Sequence, residues 1–196
     1  AEVLDVANAV IDGTDAIMLS AETAVGKHPS RVIEAADRVC LGAERHSDES
    51  SDTNLLNVRF QRIDQAIAMA ATFLSSHVSV QAIVAFTESG STALWLSRVE
   101  SPVPVFALSP SAPSRRRMAL YRNVYPVPHD PKGESMDPVI REGLKLLWKK
   151  GALEAGDRVI LTMGESLGNQ GGTNTMRLIK MGADGRPEHQ TELDLR

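Results

Sequence analysis

Two loops of this 196-residue chain combine glycine with hydroxyl-bearing residues, and each follows an apolar run. The first loop has the sequence TESGSTA and spans residues 87–93, directly after the apolar run Ala82 to Phe86. Gly90 permits a tight turn, and the backbone amides at the start of the following helix carry a partial positive charge. Amides in that arrangement bind anions, most often phosphate. The first loop therefore predicts a phosphate site.

The second loop has the sequence GESLGNQGGT and spans residues 164–173, after the apolar run Val159 to Thr162. In a parallel sheet both loops leave the same edge, so they can line one pocket. The residues that we predict to bind a phosphorylated effector are Thr87, Glu88, Ser89, Gly90, Ser91, Thr92, Ser166, Gly168, Gly171, Gly172 and Thr173. The alternative is that these hydroxyl groups only satisfy the free amides of their own helix.

A hydroxyl and a carboxylate, Ser20 and Glu22, form a third candidate site. They follow the short apolar run Ala16 to Leu19, which we predict to be a buried strand. Catalytic groups collect at the carboxyl ends of parallel strands, so both residues are candidates for an active-site mouth. A capped turn would explain the same two residues equally well.

The histidines give no sign of a metal site. His28 and His46 stand at predicted helix ends, and neither has a second histidine, cysteine or carboxylate at the spacing of metal ligands. We therefore predict that this chain binds no metal.

The elements that would position these residues alternate between apolar runs and helical patterns, which is typical of an α/β fold. We predict a mainly parallel five-stranded sheet with helices on both faces, of flavodoxin-like or related strand order. The predicted strands are Ala82 to Phe86, Val103 to Leu108, Val124 to Val127, Val159 to Thr162 and Thr175 to Lys180. Pro126 indicates that the third strand lies at an edge. The last connection is too short for a crossover helix, so the fifth strand should be an antiparallel edge strand.

Composition divides the chain into four parts. Residues 1–47 are predicted to form a helix, a strand and a helix, and the polar residues 48–61 indicate a linker. Residues 62–181 form the predicted α/β domain, and residues 182–196 form a polar tail.

Charge and composition argue against several classes of protein. A net charge of -4 and a pI near 5.7 give no support for a nucleic-acid or anionic-membrane surface, and the cluster Arg115 to Arg117 is typical of a solvated helix face. The single cysteine, Cys40, lies in an apolar stripe and indicates a buried thiol in a reducing compartment. No window approaches about 18 consecutive apolar residues, so we expect a cytoplasmic protein without a membrane span.

Several segments taken together resemble pyruvate kinase. Those similar to the last unit of the family's catalytic (β/α)8 barrel are residues 1–10 (AEVLDVANAV), 12–13 (DG), 17–24 (IMLSAETA) and Pro29. Those similar to its C-terminal regulatory domain are residues 87–90 (TESG), 120–122 (LYR) and 173–177 (TNTMR). The resemblance covers nearly the whole chain apart from the tail. It implies that residues 1–47 are the last helix, strand and helix of the barrel and that residues 62–181 are the allosteric domain.

The resemblance implies a glycolytic phosphotransferase, which transfers phosphate from phosphoenolpyruvate to ADP to give pyruvate and ATP. The family binds Mg2+, K+ and phosphoenolpyruvate through residues on earlier barrel strands. Here only Ser20 and Glu22 match the pattern near the active-site mouth, and Ala21 stands where many members have glycine. Phosphoryl transfer needs metal ions and cationic groups around the migrating phosphate. We therefore expect the chain alone to be inactive and to bind no cofactor, whereas the full-length family enzyme uses Mg2+ and K+.

The two glycine-bearing loops match the family's allosteric phosphate site. Some relatives place Lys and Arg in the first loop where this sequence has Glu88 and Ser91, and their bisphosphate site also uses a Trp and an Arg without a secure counterpart here. A carboxylate about 4 Å from a phosphate costs roughly a few kcal/mol at an effective dielectric near 20, enough to weaken binding of a dianion about a hundredfold or more. We expect a sugar monophosphate or AMP to be preferred over fructose 1,6-bisphosphate. Glu88 could instead point outward, as a favourable charge at a helix start.

Two other interpretations stay open. The chain could be a free-standing phosphate-binding module, in which residues 1–46 bury their apolar stripes on the rest of the chain, whereas a barrel remnant would leave apolar surface exposed. It could also be an oligomerisation module. The family forms homotetramers partly through its C-terminal domains, and an edge strand at Thr175 to Lys180 could pair with its twin.

Overall fold

The computed structural model describes residues 2–47, 59–99, 101–130, 136–164 and 172–188. The chain divides into two compact units, Ala1–Arg59 and Phe60–Arg196. Ser166, Gly168 and Gly171 of the predicted effector site lie outside the described residues.

The first unit is helical where it is described. It contains α1 (Glu2–Ile11), α2 (Ala21–Ala24) and α3 (Pro29–Ser47). Helix α1 ends before Gly13, which adopts a positive φ of 81° that only glycine tolerates easily. Pro29 opens α3 because its fixed φ suits the first position of a helix.

The strand predicted at Ala16 to Leu19 is not formed, because these residues have no regular secondary structure. A parallel strand needs neighbouring strands to satisfy its backbone hydrogen bonds, and the described residues of this unit include none. Cys40, predicted to be buried, is only partly buried on α3. Local apolar character was therefore an insufficient guide to burial in this unit.

The second unit is built on one sheet of six strands, in the order β3-β2-β1-β4-β5-β6. The strands are β1 (Ala82–Phe86), β2 (Val105–Ser109), β3 (Val124–Pro128), β4 (Arg158–Gly164), β5 (Thr173–Met181) and β6 (Pro187–Glu188). Strands β1 to β4 are parallel, and β5 and β6 are antiparallel to their neighbours. The predicted α/β class with a mainly parallel sheet is confirmed. Pro126 lies in β3, an outermost strand, as predicted.

Helices cover both faces of this sheet. They are α4 (Ile63–His77), α5 (Ser91–Arg98), α6 (Ala112–Met118) and α7 (Met136–Lys149). Residues of α4, α5 and α6 share one buried core, and residues of α7 belong to the other. Right-handed crossovers explain this division, because the path from β1 to β3 and the return from β3 to β4 run in opposite directions along the sheet. All five residues of β1 are buried and apolar, as expected of a strand covered on both faces.

The strand order differs from the flavodoxin-like order that we considered. The chain runs from β1 outward to β3 and then returns to place β4 on the other side of β1. The direction of winding therefore reverses between β1 and β4. In open α/β sheets this reversal leaves a crevice beyond the carboxyl ends of the two strands, and ligands bind there.

The outer edge beside β5 also differs from the prediction. Strand β5 is antiparallel to β4 as expected, but β6 pairs with its last two residues, Lys180 and Met181. Strand β6 lies in the segment that we predicted to be a tail. The missed signal is Asp184-Gly185, a dipeptide typical of hairpin turns, in which Gly185 adopts a φ of 72°. The sheet consequently has six strands instead of five.

Candidate functional site

The first loop joins β1 to α5 by a turn at Gly90. This glycine is the N-cap of α5, with a left-handed φ of 84° and ψ of 7°. The side chain of Met118 lies against it, so that a Cβ added at Gly90 would come within 2.9 Å of the Met118 Cγ. Both the backbone conformation and the space therefore require glycine here.

Two hydroxyl groups of the first loop bind amides of the loop itself. The Gly90 amide donates to the Thr87 Oγ1 at 3.0 Å, and the Ser91 amide donates to the Ser89 Oγ at 3.4 Å. The interpretation that these hydroxyls satisfy local amides is therefore partly realised. The N-cap of α5 nevertheless offers no side-chain acceptor because it is glycine. The amides of Thr92 and Ala93, in the first turn of α5, are thus without a side-chain cap.

The hydroxyl of Ser91 is turned toward α4. It donates to Oδ2 of Asp64 at 2.8 Å, and the same oxygen accepts a hydrogen bond from Nη2 of Arg62 at 2.7 Å. Oδ1 of Asp64 accepts from Nε of Arg62 at 2.9 Å, which makes the ion pair bidentate. The Asp64 side chain is 1% exposed and that of Arg62 is 52% exposed. The hydrogen bonds from Arg62 lower the pKa of the Asp64 carboxyl, although burial opposes this shift.

The second loop begins and ends at glycines that lie against each other. A Cβ added at Gly164, the last residue of β4, would come within 2.6 Å of the carbonyl oxygen of Gly172. The pairing of β4 with β5 is irregular at Met163 and Gly164, where Gly164 lies opposite Thr173. Gly172 and Thr173 are the described members of the predicted site in this loop.

The two loops are in contact. The hydroxyls of Thr92, in the first turn of α5, and Thr173, the first residue of β5, are 2.5 Å apart and hydrogen-bonded. Both side chains are buried. Their hydroxyls therefore hold the loops together at the carboxyl ends of β1 and β4, and the nearby amides are the groups left to bind a ligand.

Glu88 is partly exposed, and its backbone carbonyl accepts a hydrogen bond from the Ser109 hydroxyl at 3.2 Å. This bond ties the first loop to the end of β2. The carboxylates of Glu88 and Asp64 both belong to residues at or beside the first loop. An approaching phosphate would therefore meet two acidic groups, of which Asp64 is paired with Arg62.

Ser20 and Glu22 form a local turn in the first unit. The Ser20 amide donates to Oε2 of Glu22 at 3.0 Å, and the Thr23 hydroxyl donates to the Ser20 carbonyl. Hydrogen bonds from the backbone amides of Glu22 and Ser20 hold the pKa of the Glu22 carboxyl below its usual value. This arrangement is what a capped turn requires, and it also keeps a carboxylate charged beside a serine.

Sequence reasoning missed Asp64 and Arg62. A carboxylate in the first turn of a helix is common at the surface, and nothing in the local pattern distinguishes a buried one. The available signal was the spacing Arg-Ile-Asp, with Arg62 and Asp64 at the start of an amphipathic helix. Ser91 lies 27 positions from Asp64, so only the fold brings them together.

Within the described residues, no group of three or more His, Cys, Asp or Glu side chains could hold a metal ion. The Mg2+ and K+ that the family resemblance implies thus have no ligand set in this part of the chain, and we assign no metal step to it. Likewise, the described helices include none that is long and apolar enough to span a membrane.

Comparison with known proteins agrees with the fold. Residues 65–179 match the family described as "Pyruvate kinase, alpha/beta domain", and residues 1–33 match "Pyruvate kinase, barrel domain". Pyruvate kinase II of Salmonella typhimurium is 46% identical over 180 residues, which are 91% of this chain and 37% of that protein. The pyruvate kinase of Buchnera aphidicola subsp. Baizongia pistaciae is 44% identical over 182 residues, covering 92% of this chain and 38% of that protein.

A more distant relative has the same extent of match. The pyruvate kinase of Thermotoga maritima is 38% identical over 181 residues, covering 92% of this chain and 38% of that protein. The chain thus spans less than two fifths of the length of these relatives. Because the alpha/beta-domain match alone covers more than half of the chain, and the barrel-domain match precedes it in the same order, the chain belongs to the pyruvate kinase family.

Proposed function

We propose that this chain is the effector-binding part of a pyruvate kinase and that a phosphorylated metabolite binds between the first and second loops. The observation that carries the proposal is the hydrogen bond between Thr92 and Thr173, which joins the loops where the winding of the sheet reverses. The first-turn amides of α5, which lack a side-chain cap, are the donors offered to the phosphate.

The charge around the first loop supports a monophosphate as the ligand. Glu88 and Asp64 add negative charge there, and the loop itself carries no lysine or arginine. A second phosphate would have to be held against this charge. We therefore propose a sugar monophosphate or AMP in preference to fructose 1,6-bisphosphate.

Titration calorimetry tests this preference directly. Glucose 6-phosphate, AMP and fructose 1,6-bisphosphate are titrated into the chain at one fixed ionic strength. Saturable binding of a monophosphate, tighter than that of the bisphosphate, is expected. Tighter binding of the bisphosphate would contradict the proposed preference, and no binding of any of the three would contradict the site.

A pair of variants locates the binding. Ser89→Glu places a new carboxylate in the first loop and should weaken monophosphate binding by about tenfold or more. Ser76→Glu adds the same charge to an exposed position near the opposite end of α4 and should leave binding unchanged. Equal effects of both substitutions would show that the ligand binds elsewhere.

The first unit supports a barrel remnant over a free-standing module. Its exposed apolar side chains include Met18, which is 90% exposed, Val25 at 84% and Leu4 at 67%. A self-contained module would bury such groups. We therefore propose that this unit completes a catalytic barrel with further chain, in the cytoplasm where glycolysis takes place. A dye that fluoresces on exposed apolar surface should bind the isolated chain strongly, and absence of dye binding would favour the free-standing module.

A second candidate function is assembly of a homo-oligomer, for which helix α4 provides a specific observation. Exposed residues recur on its outer surface at intervals of three and four, the spacing of a helix-pairing seam: Ile63, Ala66, Ala70, Phe73 and His77. Phe73 is 44% exposed and stacks on His77 at a centroid distance of 4.1 Å. A second copy of this chain would match the stripe by two-fold symmetry, with α4 pairing against its twin.

The open edge of β5 supports the same occupant. Strand β6 covers only Lys180 and Met181, and α4 lies next to β5. Sedimentation velocity should therefore detect self-association that Phe73→Glu abolishes, because a carboxylate would be buried in the seam. Lys145→Glu, on exposed α7, is the control and should leave the association intact. A chain that stays monomeric at high concentration would exclude this function.

A further inference from the structure

Asp64 lies at the start of two helices at once. It belongs to the first turn of α4, and through Ser91 it contacts the first residue of α5. A buried carboxylate is stable in this position because both helix dipoles and three side-chain hydrogen bonds favour its charged form. The same carboxylate would repel a phosphate bound to the amides of α5 unless a cation compensated it.

Arg62 is the cation in position to do so. Its Nη2 and the Ser91 hydroxyl contact the same oxygen of Asp64, so the guanidinium lies beside the first loop. A guanidinium has five N–H groups, and the bidentate pair with Asp64 engages two of them. The arginine side chain is half exposed and held in one orientation by that pair. Its remaining donors are therefore available to an anion at low cost in conformational entropy.

We propose that Arg62 is the cationic ligand of the effector site and that Asp64 positions it there. The inference rests on the proposed effector site and adds the source of its positive charge, which lies on the segment leading into α4 instead of on the first loop. A single phosphate group would bridge the first-turn amides of α5 and the guanidinium. One cation serves one phosphate, which agrees with a monophosphate as the effector class.

The rival explanation is that Arg62 only neutralises Asp64. Arg62→Gln alone does not separate the two roles, because it leaves a buried carboxylate without its partner and can destabilise the fold. The double variant Arg62→Gln with Asp64→Asn removes both charges and leaves a neutral side chain that can still accept from Ser91. Comparing it with Asp64→Asn isolates the contribution of the guanidinium.

The experiment measures glucose 6-phosphate, AMP and inorganic phosphate binding by calorimetry to the wild-type chain, Asp64→Asn, and the double variant. Arg141→Gln, an exposed arginine on α7 at the opposite face of the sheet, controls for net charge. We expect the double variant to bind monophosphate at least about tenfold more weakly than Asp64→Asn, and Arg141→Gln to bind like wild type. Thermal unfolding monitored by tryptophan fluorescence verifies that each variant is folded.

The possible results separate this inference from the site on which it rests. Equal affinity of the double variant and Asp64→Asn, with wild-type binding intact, would overturn the role of Arg62 while leaving the effector site in place. Wild-type protein that binds none of the three probes would overturn the effector site itself. An equal loss of binding in Arg141→Gln would reduce the effect to net charge and would also overturn the role of Arg62.

Discussion

Gly90 is the residue on which the geometry of the first loop depends most directly. Alanine at this position would have to adopt a φ of 84° and would also collide with Met118 at 2.9 Å. The left-handed conformation costs about 1–2 kcal/mol and overpacking costs about 1–3 kcal/mol more. We expect Gly90→Ala to lower the free energy of unfolding of the α/β unit by the sum of both effects, measured by urea denaturation.

Gly156→Ala is the matched control for that prediction. Gly156 has a similar φ of 88°, but nothing lies within 4 Å of an added Cβ. Its substitution should therefore cost only the conformational part. Both tryptophans, Trp95 and Trp148, belong to the α/β unit, so their fluorescence reports its unfolding. A cost at Gly90 no greater than that at Gly156 would show that Met118 does not restrict the turn.

His129 makes the stability of the α/β unit dependent on pH. Its ring is buried, contacts Phe86 edge-on at 5.8 Å and hydrogen-bonds through Nε2 to the Val139 carbonyl at 3.2 Å. Burial lowers the pKa of His129, although the carboxylates of Glu142 and Asp130 oppose the shift. The unfolded chain therefore binds a proton more readily than the folded one. Stability is fully present above the unfolded pKa of about 6.5 and is lost as pH falls through it.

Urea denaturation at pH 7.5 and 5.5 measures this effect. We expect the free energy of unfolding to fall more between these pH values in wild type than in His129→Gln, which cannot titrate there. His77→Gln removes an exposed histidine at the end of α4 and should keep the wild-type difference. Equal pH dependence in wild type and His129→Gln would mean that another group is responsible.

At the scale of elements, the junction between α5 and β5 is held by one buried pair of hydroxyls. Thr173→Val leaves the Thr92 hydroxyl buried without its partner and should cost about 1–3 kcal/mol, as should Thr92→Val. The double variant should cost clearly less than the sum, because both polar groups are then replaced by apolar groups of the same shape. Urea denaturation of all four proteins gives the coupling energy, and strict additivity would show that the contact contributes nothing to joining the loops.

Elements were predictable wherever a local pattern was strong. The run Ala82 to Phe86 gave β1 with the bounds that the structure has, and Pro29 and Gly13 gave helix ends in the first unit. The strand at Ala16 to Leu19 failed because a strand exists only through its neighbours. Strand β6 was missed because two residues carry no periodicity, and its hairpin was indicated only by Asp184-Gly185.

At the scale of the whole molecule, we expect the chain alone to lack pyruvate kinase activity. Ser20 and Glu22 match the family near the active-site mouth, but two residues cannot supply the metal ions and cationic groups that phosphoryl transfer requires. A coupled assay should detect no ADP-dependent formation of pyruvate from phosphoenolpyruvate above the blank, with or without Mg2+ and K+. Activity that rises in proportion to the concentration of the purified chain would contradict this expectation.

The sequence by itself determined the α/β class, the family, the two glycine-bearing loops and the antiparallel last crossing, because each depends on local periodicity, turn residues or connection length. Only the tertiary structure decided the strand order, which puts the reversal of winding between β1 and β4. It also decided the contacts of Ser91 with Asp64 and of Thr92 with Thr173, which lie 27 and 81 positions apart. Such pairs leave no local pattern, since their partners are chosen by how helices and strands pack and not by neighbouring residues.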